Sequence, residues 1–176
     1  ADFLEIDLAP MMGRTLVGNL PYNVAMPILS RSLELHDYWP RLVFMFQLEV
    51  AQRLCAEPGT RAYGMPTLVA TVTHRTTQLR KVPAGAFFPK PKVDSALVGF
   101  EPLAEPLLVG AERLTFLDLM GDAFRYRRKT ATNALSRASG HGAPQIAAIL
   151  EGLGHSPQVR LERLSVGELV ALWREL

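Results

Sequence analysis

Four consecutive residues, Asn19-Leu20-Pro21-Tyr22, have the types and the order that a site for an aromatic amine requires. They follow the short apolar run 15–18 and precede a segment with helical spacing, so we expect them at the carboxyl end of a strand, where open α/β sheets bind ligands. An aromatic amine is a poor nucleophile because its lone pair is delocalised into the ring. The carboxamide oxygen of Asn19 and a main-chain carbonyl held rigid by Pro21 would accept its two N–H bonds, and Tyr22 would stack on the base. The alternative is an ordinary strand-to-helix turn, which uses the same residue types.

A proline-rich loop at residues 87–95 offers a second aromatic side chain. Pro89 and Pro91 each fix one backbone torsion and restrict the preceding residue, so Phe87 would be presented from a stiff segment. A rigid aromatic ring suits a base that has been turned out of its stack. The alternative is an edge loop in which Phe87 and Phe88 simply close the core.

Two basic clusters occur on a chain whose formal net charge is only +2. The first, residues 74–92, contains no acidic residue, and its basic residues are Arg75, Arg80, Lys81, Lys90 and Lys92. In the second, a helix predicted over residues 114–138 would place Arg125, Arg128 and Lys129 on one face. Local clusters on a nearly neutral chain favour a polyanion that is bound by particular faces, although ordinary solvated surface explains such clusters equally well.

The elements that must position these residues alternate between strands and helices in the first part of the chain. Apolar runs predict strands at 15–18, 41–47, 76–82 and 96–101, with helical spacing at 24–35, 49–55 and 66–73. This alternation predicts a parallel α/β sheet. From about residue 108 the spacing is helical throughout, and Ser165 with Glu168 forms a capping box before the last helix. We therefore expect an α/β domain at 1–107 and a helical domain at 108–176.

Composition excludes several other classes of protein. With 48% hydrophobic and 20% charged residues, the 176-residue chain is typical of a globular domain, and no apolar run is long enough to span a membrane. Acidic residues near Ala1 argue against a secretory signal, so we expect a cytoplasmic protein. The single Cys55 cannot form an internal disulfide, and no histidine has metal-site spacing, so no metal is expected.

The motifs, taken together, closely resemble the ribosomal RNA small-subunit adenine dimethyltransferase family, the KsgA type. The resemblance covers nearly the whole chain and rests on G-N-L-P-Y-N-V-A-M-P-I-L from Gly18, Q-L-E-V-A from Gln47, F-F-P-K-P-K-V-D-S from Phe87, F-R-Y-R-R-K-T from Phe124 and R-L-E-R-L-S from Arg160. It implies the C-terminal half of a Rossmann-like methyltransferase sheet, followed by a small all-helical domain that binds ribosomal RNA.

The same resemblance implies an activity and a set of site residues. The family uses S-adenosyl-L-methionine to dimethylate the N6 atoms of two adjacent adenosines near the 3′ end of small-subunit ribosomal RNA, with a role in small-subunit maturation. Asn19, Leu20 and Tyr22 would bind and activate the adenine, and Phe87 would cover its other face. Asp2, together with Asn19, would contact the methyl donor. Small-subunit RNA and the small ribosomal subunit are the expected partners. From the charge pattern, we expect Arg125, Arg128, Lys129, Lys90 and Lys92 to contact that RNA.

The 176 residues contain no glycine-rich turn after a first strand and no acidic residue at the end of a second, the features with which doubly wound sheets bind nucleotide cofactors. The family's cofactor-binding half is thus not represented, and we expect this chain to be inactive alone. Two alternatives remain open. One is a non-enzymatic RNA-binding or ribosome assembly factor, and the other is a DNA adenine N6-methyltransferase, which uses a similar N-P-P-Y motif. The residues from Phe124 onward and the proline-rich loop favour RNA.

Overall fold

A computed structural model describes residues 3–176 of the chain. The strands are β1 (Leu16–Asn19), β2 (Leu42–Gln47), β3 (His74–Val82) and β4 (Ser95–Pro102). The α-helices are α1 (Ala25–Glu34), α2 (Leu48–Leu54), α3 (Met65–Thr71), α4 (Gly110–Phe124), α5 (Ala131–Ser139), α6 (Ala143–Gly152) and α7 (Val166–Arg174). The strands and the helices of the first part lie within two residues of their predicted positions.

The chain forms two compact units, each built from two separate stretches of sequence. The sheet unit comprises Ala1–Cys55 and Thr73–Pro106, and the helical unit comprises Ala56–Val72 and Leu107–Leu176. This division differs from the expected domains, 1–107 and 108–176, chiefly in residues 56–72 and also at residue 107. The reason is packing: Tyr63, Leu68 and Val72 are buried in the core of the helical unit, and the Tyr63 hydroxyl donates to the carbonyl of Leu164 at 2.8 Å.

The sheet has the strand order β1-β2-β4-β3. β1 and β2 are parallel, whereas β4 runs antiparallel to both of its neighbours. The prediction of a parallel sheet is therefore wrong for β4. A parallel return needs a crossover long enough to cross the sheet, usually a helix, but residues 83–94 contain only the short 3₁₀ turn Ala84–Ala86 and a run of prolines. As a result, the carboxyl ends of β1, β2 and β3 and the beginning of β4 lie at one edge of the sheet.

Aromatic residues on the two central strands form the middle of the sheet unit. Phe44 and Phe46 of β2 and Phe100 of β4 are buried, and their ring centroids lie 6.2 to 6.4 Å apart. Helix α2 contacts β2, β3 and β4. Burial of such large apolar rings holds the two central strands in register, and that register fixes the edge where the strand ends meet.

The helical unit has its own apolar core. Its buried residues include Leu68, Phe116, Met120, Ala123, Leu135, Ile146, Leu150, Leu161, Leu169 and Leu172. The predicted capping box is present, because Ser165 N–H donates to Glu168 Oε2 at 2.7 Å and Glu168 N–H donates to Ser165 Oγ at 3.3 Å. These bonds satisfy main-chain donors at the beginning of α7 that have no partner within the helix.

Candidate functional site

The Asn19-Leu20-Pro21-Tyr22 turn begins at the last residue of β1. Asn19 is opposite Met45 of β2 and its side chain is exposed. Gly18 leaves room for the side chain of Leu20, because a Cβ atom there would lie 2.8 Å from Leu20 Cδ2 and 3.0 Å from Phe44 Cδ1. Only a residue without a side chain lets Leu20 occupy that space. Sequence reasoning did not single out Gly18, although its position directly before the motif was the available signal.

Tyr22 is tied to the first residue of β4. Its hydroxyl lies 2.9 Å from Ser95 Oγ, although the two residues are 73 positions apart in the sequence. Ser95 is completely buried, whereas Tyr22 is 41% exposed. The ring is therefore held at its hydroxyl end while part of its surface stays open to a ligand.

The loop that carries Phe87 follows β3. Phe87 is half-buried and directly follows the 3₁₀ turn Ala84–Ala86, while Phe88 is fully exposed and precedes Pro89 through a cis peptide bond. The alternative in which both phenylalanines close the core is therefore wrong for Phe88. The loop thus offers one half-buried and one exposed aromatic ring at the same edge of the sheet that carries Tyr22.

Asp94 fastens the base of this loop. One carboxylate oxygen accepts the main-chain N–H of Ala84 at 2.9 Å, the other lies 2.8 Å from Lys81 Nζ, and the Asp94 carbonyl accepts the N–H of Leu48 at 2.9 Å. The hydrogen bond from Lys81, followed by that from Ala84, lowers the pKa of the Asp94 carboxyl below its usual range. Sequence reasoning quoted Asp94 only as one letter of a motif. The available signal was an acidic residue directly after an acid-free basic stretch.

A cleft of about 410 Å³ opens beside this loop. Its lining includes Gln47 and Gln52 from the end of β2 and from α2, Lys92 from the loop, and the acidic residues Glu49 and Asp94. Side-chain amides and a lysine are groups that can bind base edges and phosphates. The cleft shares Gln47 with the sheet edge, where this residue is in register with Ser95.

The basic residues of the sheet unit fall into two groups. Arg75 pairs with Glu101 and Lys81 pairs with Asp94, so both are partly neutralised. Arg80, Lys90 and Lys92 are exposed, and none of them forms an ion pair with a carboxylate of the described chain. These last three cations, two of which belong to the predicted RNA-binding set, remain available to an external anion.

Arg125, Arg128 and Lys129 do not lie on the face of one helix, so that prediction is wrong. Helix α4 ends at Phe124, and α5 begins at Ala131. Between them, the N–H groups of residues 125, 126, 127 and 129 bond to carbonyls three residues earlier, as in a turn. Thr130 is extended and caps α5 with its hydroxyl. The three basic residues instead lie, exposed, in the turn between two helices of the helical unit.

Arg127 differs from its basic neighbours in having a fixed partner. Its Nε and Nη2 atoms donate to one oxygen of Glu162 at 3.0 and 2.7 Å, and Nη2 also donates to the Arg61 carbonyl at 3.3 Å. Arg125 lies 3.3 Å from Asp122, whereas Arg128 and Lys129 form no ion pair within residues 3–176. Arg127 therefore joins two segments of the helical unit, and Arg128 and Lys129 can serve an external anion.

Other chemistry finds little support in the part of the chain that the structure describes. No group of three His, Cys, Asp or Glu side chains in residues 3–176 is placed to hold a metal ion, and no helix there is long and apolar enough to cross a membrane. Burial raises the pKa of the Cys55 thiol to about 11, so it is protonated at neutral pH and is a poor nucleophile. Asp2, the residue expected to contact the methyl donor, lies outside the described residues.

Comparison with known proteins identifies the family to which these features belong. Residues 2–174 match the model of a family described as ribosomal RNA adenine dimethylase. The chain belongs to this family. It is 38% identical over 182 residues to ribosomal RNA small subunit methyltransferase A of Geobacter metallireducens, covering 99% of this chain and 66% of that protein. The protein of the same name from Streptomyces griseus is 41% identical over 157 residues, covering 89% of this chain and 54% of that protein.

Solved structures share the fold. The crystal structure of the 23S rRNA methyltransferase ErmE has a TM-score of 0.73 and 24% identity, covering all of this chain and 70% of that one. The crystal structure of a dimethyladenosine transferase from Plasmodium falciparum has a TM-score of 0.73 and 20% identity, covering 92% of this chain and 66% of that one. The predicted fold class, the later part of a Rossmann-like methyltransferase sheet followed by helices, is confirmed. The chain spans less than two thirds of the length of the curated dimethylase-family relatives described above.

Proposed function

We propose that this chain is the RNA-substrate part of an adenine dimethyltransferase that acts in the cytoplasm on small-subunit ribosomal RNA. The reaction would place two methyl groups on N6 of each of two adjacent adenosines near the 3′ end of that RNA, during small-subunit maturation. The observation that carries the proposal is the sheet edge, where Asn19 ends β1 and Tyr22 is anchored to Ser95 in a member of the dimethylase family.

The residues at this edge have separable roles in the proposed reaction. The Asn19 side-chain oxygen and the Leu20 carbonyl would accept the two N–H bonds of the adenine amine, which favours a more tetrahedral and therefore more nucleophilic nitrogen. Tyr22 would stack on one face of the base and Phe87 on the other. Stacking between aromatic side chains is the usual way of holding a base that has left its helix.

S-adenosylmethionine would supply the methyl group as an electrophile. Asn19 fits a contact with it, because this residue is exposed at the carboxyl end of β1, where open α/β sheets bind their ligands. The 176 residues contain no glycine-rich turn of the kind that binds a nucleotide cofactor. We therefore expect this chain alone to bind the donor weakly or not at all in a calorimetric titration. A micromolar Kd would contradict this expectation.

Cations in both units would bind the RNA backbone. In the sheet unit these are Lys90 and Lys92, and in the helical unit they are Arg128 and Lys129, with a smaller contribution from Arg125 because Asp122 partly neutralises it. Such contacts give affinity without sequence specificity, since the phosphates are the same at every position. Selection of the two adenosines would then depend on the sheet edge.

A second candidate function is RNA binding without catalysis. It is favoured by Arg128 and Lys129, which are exposed and form no ion pair within residues 3–176, because contacts to phosphates need no reaction site. The test uses the full-length protein that contains this chain, S-adenosylmethionine, and small ribosomal subunits that lack the modification. Mass spectrometry of the nucleosides should detect N6,N6-dimethyladenosine in the RNA. Tight binding to the subunits without any product would instead identify a binding or assembly factor, and methylation of duplex DNA in preference to RNA would identify a DNA methyltransferase.

A further inference from the structure

The hydroxyl of Ser95 is placed by the sheet rather than by a flexible loop. Ser95 is the first residue of β4, in register with Gln47 on one side and Val82 on the other. Its side chain is completely buried, and its Oγ lies 2.9 Å from the Tyr22 hydroxyl. A buried hydroxyl requires a hydrogen-bond partner, so the position of this atom, set by paired backbone on both sides, specifies where the Tyr22 hydroxyl must lie.

Tyr22 depends on that contact for its orientation. It lies in a turn after Pro21, and the residue is 41% exposed, so packing covers only part of the ring. A hydrogen bond at the far end of the ring restricts the first side-chain torsion, because that torsion moves the hydroxyl. The second torsion only turns the ring about the axis on which the hydroxyl lies. The direction in which the ring projects from the turn, and hence its position at the sheet edge, is therefore determined by β4.

The residue before Ser95 restrains the other aromatic group. The Asp94 carboxylate accepts the Ala84 N–H and pairs with Lys81, which closes the base of the loop that carries Phe87. Adjacent residues at the beginning of β4 thus restrain the two segments that would stack on the adenine. Because both restraints come from the beginning of β4, the turn that carries Tyr22 and the loop that carries Phe87 can keep fixed positions relative to each other without direct contact.

We propose that Ser95 is a positioning residue for adenine methylation, acting through the Tyr22 hydroxyl to hold the stacking ring in place. This inference rests on the proposed function. In the proposed role, Ser95 contacts neither the base nor the methyl donor. Its removal should therefore lower kcat and leave the KM for RNA nearly unchanged, since the cations that bind the backbone are unaffected.

A double-mutant cycle in the full-length protein tests the inference. Ser95→Ala and Tyr22→Phe remove the same hydrogen bond from its two ends, and each should lower kcat about 3- to 10-fold, the range that corresponds to one hydrogen bond. The double variant should be no slower than either single variant, because the bond can be lost only once. Tyr22→Phe changes an exposed side chain and retains the ring, so this arm remains informative if Ser95→Ala folds poorly.

Ser32→Ala is the matched control. Ser32 is also completely buried in the sheet unit, but its hydroxyl donates to the Ile28 carbonyl within α1 at 2.8 Å. It should lower the melting temperature without changing kcat below that temperature. Full turnover in Tyr22→Phe, or effects of the two variants that multiply, would overturn the positioning role alone. Absence of methyl transfer in the wild-type protein would overturn the proposed function and this inference with it.

Discussion

The two units use polar side-chain bonds in different places. In the sheet unit, the bonds of Ser95 and Asp94 lie at the edge and hold segments whose own side chains remain exposed. In the helical unit, Tyr63 and Arg127 bond to the segment around Glu162 and Leu164, and thereby hold a core together. The difference shows that residue type alone does not tell which polar groups stabilise the fold and which remain available to an external ligand. The bonding partner of each side chain decides this.

The largest effect on methyl transfer should come from Asn19. This exposed residue of the sheet unit is expected to act on the reacting amine and to hold no other segment in place. Asn19→Ala in the full-length protein should lower methyl transfer about 10²- to 10³-fold, about 2.7–4 kcal/mol, because one orienting group is lost in the transition state. Measured by single-turnover assays and by filter binding, RNA affinity should stay within about twofold of wild type, since this group acts on one amine. Asn23→Ala, an exposed asparagine one residue beyond the motif, is the control. Turnover close to wild type in Asn19→Ala would show that the motif is only a turn.

The next effect concerns the exposed cations between α4 and α5. Replacing Arg125, Arg128 and Lys129 together with Gln should weaken binding to small-subunit RNA and flatten the dependence of log K on log salt. The expected change is about 0.7 to 0.9 for each phosphate contact removed. The melting temperature should barely move, because exposed charges contribute little to stability. An unchanged salt dependence with a large loss of stability would place the RNA-binding surface elsewhere, first at Arg80, Lys90 and Lys92.

Arg127 gives a sharper version of the same test, because it is a basic residue within the same turn. Arg127→Gln should lower the free energy of unfolding by about 1 kcal/mol, a charged hydrogen bond reduced by partial exposure of the pair. The salt dependence of RNA binding by this variant should match that of the wild-type protein. Arg128→Gln is the matched variant and should show the reverse pattern in chemical denaturation and in salt titrations. The same behaviour in both variants would remove the distinction between paired and unpaired cations.

Local pattern predicted much of the architecture. Strands and helices of the sheet unit were predictable because apolar periodicity reflects which face is buried. The direction of β4 was not, since periodicity carries no information about strand direction. The break between α4 and α5 was also missed, because apolar residues continue at helical spacing across it. Thr130, whose hydroxyl caps α5, was a signal that could have revealed this break.

The candidate site was predictable to a similar extent. The motif at Asn19 could be assigned to the end of a strand because that placement depends on adjacent residues. The contacts that hold it could not be predicted, since Tyr22 and Ser95 are 73 residues apart and Arg127 and Glu162 are 35 apart. Contacts at such separations depend on the folded topology. Tyr22 meets Ser95 because β4 is antiparallel to β2, which places the beginning of β4 beside the end of β1 and β2.

The smallest expected effect is a pH dependence at the base of the Phe87 loop. The pKa of Asp94 is lowered in the folded chain, chiefly by the hydrogen bond from Lys81. A carboxyl whose pKa is lower in the folded than in the unfolded state stabilises the fold above the unfolded pKa, about 3.9 for aspartate. That contribution is then lost as the pH falls through the folded value. Asp94→Asn retains an oxygen that can accept the Ala84 N–H, but it has no charge for Lys81.

Hydrogen exchange in residues 83–94 should therefore be faster in Asp94→Asn than in wild type at pH 7, after correction for intrinsic rates. The difference between the two proteins in the free energy of local opening should shrink as the pH is lowered below about 4, because the wild-type carboxylate becomes protonated there. Asp118→Asn, which removes an exposed carboxylate from α4 in the other unit, controls for the general effect of losing one charge. A difference that stays constant between pH 7 and pH 2, or no difference at any pH, would mean that the charge of Asp94 and its ion pair to Lys81 do not hold the loop.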